Sequence, residues 1–227
     1  MSVSMKLNAV TEALKYVNDG DVIGLGSGTT VALFMEELSK SGKKVTCVPT
    51  SLDTLFRASK LRIPITTLNH VRVLEKTFDG ADQVDERLRL IKGGGGALTR
   101  EKVVAYSSKE LVIMVDKTKC VKKLGLGFPV PLEFIFEALP LIQKRVDELF
   151  GATVVLRMGQ GKLPPLISDN GLVLGDVHFK DGLEDPNYAE EELNKIPGVL
   201  ENGLFTKHPN VTVLVGEEKG CKTLKRP

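Results

Sequence analysis

Residues able to do chemistry are concentrated between Asp79 and Lys102, in the stretch DGADQVDERLRLIKGGGGALTREK. The stretch holds several carboxylates, and Lys92 stands directly before four glycines at 93–96. Consecutive glycines lose much conformational entropy on ordering and add nothing to a core, so a purely structural role explains them poorly. A ligand that must approach the backbone closely explains them better. The stretch therefore indicates an active site for a small, polar, anionic molecule.

The glycine loop and its flanks suggest specific roles. Successive N–H groups of residues 93–96 can form a nest for an oxyanion, and Lys92 can supply a positive charge to it. Thr99 is placed to cap a helix, which sets Glu101 in the first helical turn. A glutamate at such a position commonly serves the helix dipole alone. The neighbouring loop and Lys92 favour a functional role for Glu101 without settling it.

Two further segments carry polar groups at turns. Asp79 and Asp82 flank a Gly-Ala turn; such a pair can hold substrate hydroxyls or share protons, or form an Asx-type turn with one solvated carboxylate. Magnesium is a third alternative, but the stretch offers no residues that complete its ligand set. The turn GLGSGTT at 24–30 combines N–H groups at a helix start with hydroxyls, which favours phosphate. A ligand-free tight turn explains it equally well.

The same glycine turn excludes two nucleotide-binding motifs. A Walker A loop needs Gly-Lys-Ser/Thr, and the turn contains no lysine. A dinucleotide fingerprint needs a glycine where Thr29 stands, and an acidic residue about 20 positions on, where the chain reads Thr46-Cys47-Val48.

Helices alternate with short apolar strands along the chain, which predicts an α/β fold: a Rossmann-like, mostly parallel sheet with helices on both faces. The predicted strands of this sheet include segments 21–26, 44–49, 63–68, 110–116 and 210–215. Thr29 or Thr30 is expected to cap the second helix. Ligands bind at the carboxyl ends of such strands, and the turns at 24–30, 79–82 and 92–96 all fall at predicted strand ends, where they are suited to a ligand-binding site.

A smaller α+β domain is expected to interrupt this sheet. Gly125, Gly127 and the prolines within 128–131 punctuate the chain. A helix over 138–150, strands over 153–158 and 172–177, and a helix near 188–195 are predicted beyond them. We therefore expect a catalytic domain of residues 1–125 and 203–227, and an inserted domain of residues 126–202.

Composition excludes other classes of protein. The chain has 227 residues, 42% of them hydrophobic, and a net charge of +2, which gives no nucleic-acid signature. No apolar run reaches the ~18 residues of a membrane span. The scattered Cys47, Cys120 and Cys221 predict reduced thiols in a cytoplasmic protein, and no His/Cys spacing suggests zinc. The basic residues at 219–226 predict a solvated, frayed terminus.

The motifs GLGSGTT, DGAD and KGGGGALTREK, in this order and spacing, resemble the ribose-5-phosphate isomerase A family. The resemblance continues through RMGQGKLPPLISDNGLVLGDV at 157–177 and covers essentially the whole chain. It implies reversible aldose–ketose isomerisation of ribose 5-phosphate and ribulose 5-phosphate through an enediolate, in the pentose phosphate pathway. It also implies no metal and no organic cofactor. The implied partners are a phosphorylated pentose and further copies of the chain, as a homodimer or homotetramer, with neither nucleic acid nor membrane.

The resemblance also implies roles for individual residues. Glu101 is the implied base that moves a proton between C1 and C2, and Asp79, Asp82 and Lys92 are its implied active-site companions. The implied substrate-binding residues are Ser27, Gly28, Thr29, Thr30, Gly93, Gly94, Gly95, Gly96 and Lys119. Three places depart from the family pattern. Gln83 stands where glutamate is usual, and Gly95-Gly96-Ala97 stands where glycine-alanine-alanine is usual. The normally apolar strand before DGAD reads LEKTF at 74–78.

Two other functions stay open on the sequence. A sugar-phosphate-sensing module would bind a phosphosugar without turnover, and would normally carry a DNA-binding helix pair, which the first 20 residues do not predict. An amino-sugar phosphate deaminase of related architecture is the alternative among enzymes.

Overall fold

The computed structural model describes residues 3–159 and 165–226, so part of the resemblance segment 157–177 lies outside the described residues. Within these ranges the helices are α1 (Val3–Leu14), α2 (Thr29–Lys40), α3 (Leu52–Lys60), α4 (Leu98–Tyr106), α5 (Leu139–Phe150) and α6 (Pro186–Asn194). The strands are β1 (Val22–Leu25), β2 (Thr46–Pro49), β3 (Leu74–Asp79), β4 (Gln83–Val84), β5 (Leu90–Ile91), β6 (Ser108–Asp116), β7 (Val130–Phe134), β8 (Thr153–Leu156), β9 (Val173–His178), β10 (Val199–Asn202), β11 (Leu204–Phe205), β12 (Val211–Glu217) and β13 (Gly220–Lys225). No helix in the described ranges is long and apolar enough to cross a membrane.

The chain separates into two compact units. The first comprises the described residues up to Ala81, Arg100–Cys120 and those from His208 onward, and the second comprises Asp82–Thr99 and Val121–Lys207. The division at 125/126 and 202/203 expected from the sequence stays a prediction for the domains. The compact units place residues 82–99, 121–125 and 203–207 differently, in the second unit. There β4 and β5 form a sheet with β11.

The first unit is built around a sheet with the strand order β13-β12-β6-β3-β1-β2. All of its strands run parallel except β13, which pairs antiparallel with β12 at the edge. Alternate residues of β2 face opposite sides of the sheet: Cys47 joins the core with α1 and α2, whereas Val48 packs with Val104 of α4. The expected mostly parallel sheet with helices on both faces is confirmed.

Turns gather at the carboxyl edge of this sheet, where parallel strands place ligand sites. β1 leads into the turn at 26–28, and β2 leads into Thr50 and Ser51. β3 ends at Asp79, and β6 is followed by the 3-10 turn Lys117–Lys119. The sheet therefore brings the glycine turn and the first aspartate of DGAD to one edge. The loop at 92–96 follows β5, a strand of an antiparallel sheet in the second unit, so its expected place at an end of the parallel sheet is wrong.

The polar start of β3 is explained by solvent exposure. Glu75 and Lys109, on the neighbouring strand β6, form an exposed ion pair with an Oε1–Nζ distance of 2.7 Å. Leu74 at the start of the strand and Thr77 and Phe78 further along it are completely buried, so the polar interruption is confined to Glu75 and Lys76. The unusual LEKTF segment therefore departs from an apolar strand only at Glu75 and Lys76.

Helix α1 lies directly against β12. Asn8 Nδ2 donates to the carbonyl of Glu217 at 2.8 Å. A Cβ at position 216 would lie 1.8 Å from the carbonyl oxygen of Met5. Glycine at 216 is therefore required for the helix backbone to approach the strand this closely.

Two secondary-structure predictions for this unit are wrong. Residues 63–68 form no strand in the described structure, and Ile65 makes only an isolated bridge to Cys47. The basic segment near 219–226 is not frayed, because Gly220–Lys225 form β13 in continuous register with β12. Exposed lysines on an edge strand hinder pairing with other chains, so the charge is compatible with a strand there.

The second unit contains antiparallel sheets in the strand orders β10-β7-β9-β8 and β11-β5-β4. Its core joins α5 and α6 to the longer sheet through buried residues such as Ile142, Leu193, Phe134 and Val177. The elements α5, β8, β9 and α6 follow the predicted helices and strands with small shifts at their ends, whereas β4, β5, β10 and β11 were not predicted.

Candidate active site

The turn after β1 is built around Asp79. The N–H groups of Ser27 and Gly80 both donate to Asp79 Oδ1, at 3.1 and 2.7 Å. The Asp79 side chain is completely buried, and Gly26 lies against its carboxyl group. The carboxylate therefore fixes the path of the glycine turn, which shows that two separate sequence motifs form one structural feature.

Ser27 also joins a cluster of hydroxyl groups that the sequence analysis missed. Ser27 Oγ lies 2.9 Å from Thr50 Oγ1 and donates to Ser51 Oγ at 3.1 Å. Thr54 Oγ1 lies 2.9 Å from Ser51 Oγ and donates to the carbonyl of Gly26 at 2.6 Å. The signal that could have found this cluster is the Ser-x-x-Thr spacing at the start of α3, where Ser51 is the N-cap.

The start of α2 differs from expectation. Its N-cap is Gly28 with φ +89°, a conformation that favours glycine, so the prediction of a Thr29 or Thr30 cap is wrong. The Thr29 hydroxyl instead accepts a hydrogen bond from Lys6 Nζ at 2.7 Å. Lys6 was missed because its position depends on how α1 packs, which no local pattern reveals.

Lys119 ends the 3-10 turn that follows β6. Asp116 caps this turn, with its Oδ1 accepting from the N–H of Thr118 at 3.0 Å. The Lys119 side chain is half-buried, whereas Lys117 is exposed. The turn follows β6, which runs parallel to β3, so Lys119 lies at the same carboxyl edge of the sheet as Asp79, where parallel strands commonly place ligand sites.

Glu101 lies in the first turn of α4 and is only 4% exposed. A glutamate that merely serves a helix dipole stays in water, because burying a charge is costly without compensation. Its burial favours a functional role. The predicted Thr99 cap is wrong: α4 already begins at Leu98, and Thr99 Oγ1 donates to Glu133 Oε2 at 2.5 Å.

Glu133 is a buried carboxylate that the sequence analysis did not select. It lies on β7 with no exposed surface. Besides Thr99, it accepts hydrogen bonds from the Ser168 hydroxyl and from Asn170 Nδ2, the latter at 3.0 Å. Buried carboxylates need such partners. The available signal was a single acidic residue within the otherwise apolar VPLEF.

Hydrogen bonds within the second unit hold the glycine loop. The N–H of Gly94 donates to Asp82 Oδ2 at 2.8 Å, and the N–H of Gly96 donates to the Gly93 carbonyl at 2.9 Å. Gly93 and Gly96 have φ of +92° and +86°, which favours glycine. Two of the four N–H groups expected in an oxyanion nest therefore bond within the protein, so the four-donor nest is corrected to a smaller one.

Lys92 is 2% exposed and directly precedes this loop. Its backbone N–H donates to the carbonyl of Gly203 at 2.8 Å, and its Nζ lies 5.4 Å from the centre of the Phe205 ring. A cation over an aromatic face is favourably placed, and burial strengthens its field on nearby groups.

Gln83 makes two hydrogen bonds to backbone. Its Nε2 donates to the Leu126 carbonyl at 2.9 Å, and its Oε1 accepts from the N–H of Gly125 at 2.8 Å. A carboxylate could accept but could not donate. The departure from glutamate at this position therefore has a structural explanation.

The described residues contain no group of three or more His, Cys, Asp or Glu side chains that could hold a metal ion. Cys47, Cys120 and Cys221 are free thiols. Burial raises the pKa of the Cys47 thiol to about 12 and that of Cys221 to about 11. These cysteines are therefore protonated and chemically quiet near neutral pH.

The predicted site residues divide between the units. The first unit holds Ser27, Gly28, Thr29, Thr30, Asp79, Glu101 and Lys119. The second unit holds Asp82, Lys92, Gly93, Gly94, Gly95 and Gly96. Direct contacts join Ser27 to Asp79 in the first, and Asp82 to Gly94 in the second.

Comparison with known proteins decides the family. The sequence model described as ribose 5-phosphate isomerase A (phosphoriboisomerase A) matches residues 46–220. A ribose-5-phosphate isomerase A from Methanocaldococcus jannaschii is 45% identical over 227 residues, covering 98% of this chain and 98% of that relative. The chain belongs to the ribose-5-phosphate isomerase A family.

Solved structures of ribose-5-phosphate isomerases share the fold. The ribose 5-phosphate isomerase A structure from Methanocaldococcus jannaschii has a TM-score of 0.90 at 44% identity, covering 97% of this chain and 98% of that one. A D-ribose-5-phosphate isomerase in complex with phospho-erythronic acid has a TM-score of 0.94 at 40% identity, with all of both chains covered. The ribose-5-phosphate isomerase A family consists of aldose–ketose isomerases, so the chain is an isomerase by family.

Proposed function

We propose that this chain catalyses the reversible isomerisation of ribose 5-phosphate and ribulose 5-phosphate, as a step of the pentose phosphate pathway. The observation that carries the proposal is the full-length similarity to named ribose-5-phosphate isomerases. One of them is solved with phospho-erythronic acid, a phosphorylated sugar acid. Its carboxylate resembles an enediolate in charge and shape, and an enzyme binds best what resembles its transition state.

Glu101 is the proposed base. Isomerisation requires a group that removes the proton from C2 of the open-chain aldose and returns it to C1 of the enediolate. A second proton moves from the oxygen on C2 to the oxygen on C1. The carbonyl group thereby passes from C1 to C2, and no proton is gained or lost overall. A single carboxylate next to both carbons can carry the first transfer, and the buried Glu101 is suited to it.

Lys92 and the glycine loop are the proposed partners of the developing negative oxygen. A buried cation and preorganised N–H donors stabilise such charge without reorganisation during the reaction. Asp79 and Asp82 are proposed to orient the sugar hydroxyls. Each of these carboxylates is already fixed by a backbone N–H, which supports a precise orientation.

The turn at residues 27–30 and Lys119 are the proposed anchor for the phosphate. Residues of this anchor offer backbone N–H groups at the start of α2, hydroxyls and a positive charge. Lys6 adds a second cation, because it already contacts the Thr29 hydroxyl. Anchoring the remote phosphate uses binding energy to orient the reacting end of the sugar.

Three further properties belong to the proposal. The enzyme needs no metal and no organic cofactor, which the family resemblance supports. Its location is cytoplasmic, which is supported by the free thiols. It assembles as a homodimer or homotetramer, an inference that rests on the resemblance and that light scattering on the purified protein would measure.

One assay tests the function against its rivals. Purified protein is treated exhaustively with a chelator, ribose 5-phosphate is added, and ribulose 5-phosphate is measured. We expect turnover to be unaffected by chelation. Binding without turnover would support a sensing module instead, and release of ammonia from an amino-sugar phosphate would support a deaminase. Activity that is lost on chelation and restored by a divalent ion would overturn metal independence.

A further inference from the structure

We propose that Arg157 is a positioning residue for the glycine loop, and that Asp176 holds Arg157 in place for this role. The inference deepens the proposed isomerase function and rests on it. Both residues belong to the segment 157–177. None of the site residues proposed above lies in this segment.

Arg157 and Asp176 form a two-point ion pair. Arg157 Nε donates to Asp176 Oδ2 at 2.8 Å, and Nη2 donates to Oδ1 at 2.6 Å. The two side chains are 13% and 19% exposed. A guanidinium and a carboxylate joined through two parallel hydrogen bonds have a fixed relative orientation, which a single contact would not impose.

The remaining nitrogen of Arg157 reaches the glycine loop. Its Nη1 donates to the carbonyls of Gly93 at 3.0 Å and Gly94 at 3.1 Å. The backbone of Arg157 is itself anchored, since its N–H donates to Leu174 at 3.0 Å and its carbonyl accepts from Leu166 at 2.7 Å. Hydrogen bonds therefore hold both the side chain and the backbone of Arg157, so that its guanidinium group can fix the position of the loop.

The contact affects specific donor groups. The carbonyl of Gly93 belongs to the same peptide group as the N–H of Gly94, and the carbonyl of Gly94 belongs to that of Gly95. A cation that binds a peptide oxygen polarises the peptide group and strengthens its N–H as a donor. The first of these N–H groups binds Asp82.

The second N–H group belongs to Gly95, which is an exposed residue of the loop. A Cβ at Gly95 would meet no atom within 4 Å, so there is room for a ligand beside this residue. Arg157 thus aligns and polarises one amide that holds Asp82 and another, at Gly95, that is suited to the enediolate. Its contribution should increase as negative charge develops on the substrate.

The test uses two variants. Arg157→Lys keeps the positive charge but cannot form two parallel hydrogen bonds to the carboxylate. Asp176→Asn keeps the shape of the side chain but removes the negative charge that pairs with Arg157. In each variant we expect kcat to fall roughly tenfold or more, by analogy with removal of an oxyanion donor, while KM changes much less. Inhibition by phospho-erythronic acid should weaken with kcat/KM, whereas inhibition by inorganic phosphate should stay unchanged.

Arg145→Lys is the matched control, because Arg145 forms an exposed pair with Glu148 at 2.8 Å on α5 of the same unit. It should keep wild-type kinetics. The inference is overturned if both site variants keep wild-type kcat, or if inhibition by phosphate weakens as much as inhibition by the sugar acid. A variant that fails to fold leaves the decision to the other, and failure of both to fold overturns a positioning role in favour of a structural one. Wild-type protein that does not isomerise ribose 5-phosphate overturns the proposed function itself.

Discussion

The carboxyl group of Asp79 occupies the space that a side chain at Gly26 would need. A Cβ at position 26 would lie 1.9 Å from both Cγ and Oδ1 of Asp79, far inside van der Waals contact. The buried aspartate and the glycine turn must therefore change together. Asp79, which is proposed to orient the sugar hydroxyls, is thereby linked to the turn that is proposed to bind the phosphate.

Replacing Gly26 by alanine is expected to displace Asp79 and break its bond with Ser27. Overpacking of a buried site costs about 1–3 kcal/mol, so urea denaturation should show a loss of that size. The rate of isomerisation should fall with it, because both the turn and the carboxylate move. Gly95→Ala is the control for stability, since a Cβ there meets no atom within 4 Å. Wild-type stability and rate in Gly26→Ala would contradict the steric argument.

Replacing Glu101 by glutamine tests the proposed base. The amide keeps the shape of the side chain but cannot take a proton from carbon, so kcat should fall by roughly 10² or more, as is typical for general-base catalysis. Substrate affinity should change much less. Glu137→Gln, at an exposed glutamate, serves as the control. If Glu101→Gln still exchanged the C2 proton with solvent at a near-normal rate, Asp79 would become the next candidate.

Replacing Lys119 by alanine tests the phosphate anchor. Loss of the charge should raise KM more than it lowers kcat, although part of the anchoring energy can also appear in kcat. Lys117 provides a matched control, because it lies in the same 3-10 turn but is exposed. Steady-state kinetics of both variants decide the matter. Equal effects of the two substitutions would argue against a specific contact between Lys119 and the phosphate.

The pH dependence of stability should report on His208. Burial lowers the pKa of this histidine below its usual 6.5 and outweighs the hydrogen bonds of the ring to backbone groups, which raise it. The unfolded state then binds more protons between the two pKa values, so stability falls as pH drops through that window and is regained above about 6.5. In the neutral ring, Nδ1 accepts from the N–H of Asn210 at 3.2 Å, and protonation would remove this acceptor.

Replacing His208 by glutamine should flatten this dependence. Urea denaturation at several pH values from about 5 to 7.5 gives the slope for each protein, whatever the absolute stability of the variant. A slope equal to that of the wild type would assign the acid sensitivity to other groups.

The sequence was sufficient for those features that depend on local pattern. β6 and β12 were predicted because their apolar runs are long enough to be buried on both faces. The rule that parallel strands place their carboxyl ends at one edge was sufficient to assign the glycine turn and Asp79 to that edge, but their direct contact was not predicted. The strand β3 was harder to recognise because the polar Glu75 and Lys76 interrupt its apolar pattern.

The missed features depend on contacts distant in sequence. The lysines of β13 led to the prediction of a frayed terminus, because the strand is stabilised by backbone pairing with β12 and not by an apolar pattern of its own. The contacts of Lys6 with Thr29 and of Glu133 with Thr99 join residues 23 and 34 positions apart. No periodicity encodes such pairs, because they arise only when separate elements pack.

The close packing of α1 against β12 has a consequence for biosynthesis. Asn8 and Glu217, which meet across this contact, are 209 positions apart. While the chain emerges from the ribosome, α1 and the neighbouring β6 lack their partner strand until nearly the whole length has been made. We therefore expect the second unit, whose segment Val121–Lys207 is continuous, to fold during translation, whereas the first unit closes only afterwards and depends most on chaperones in that interval.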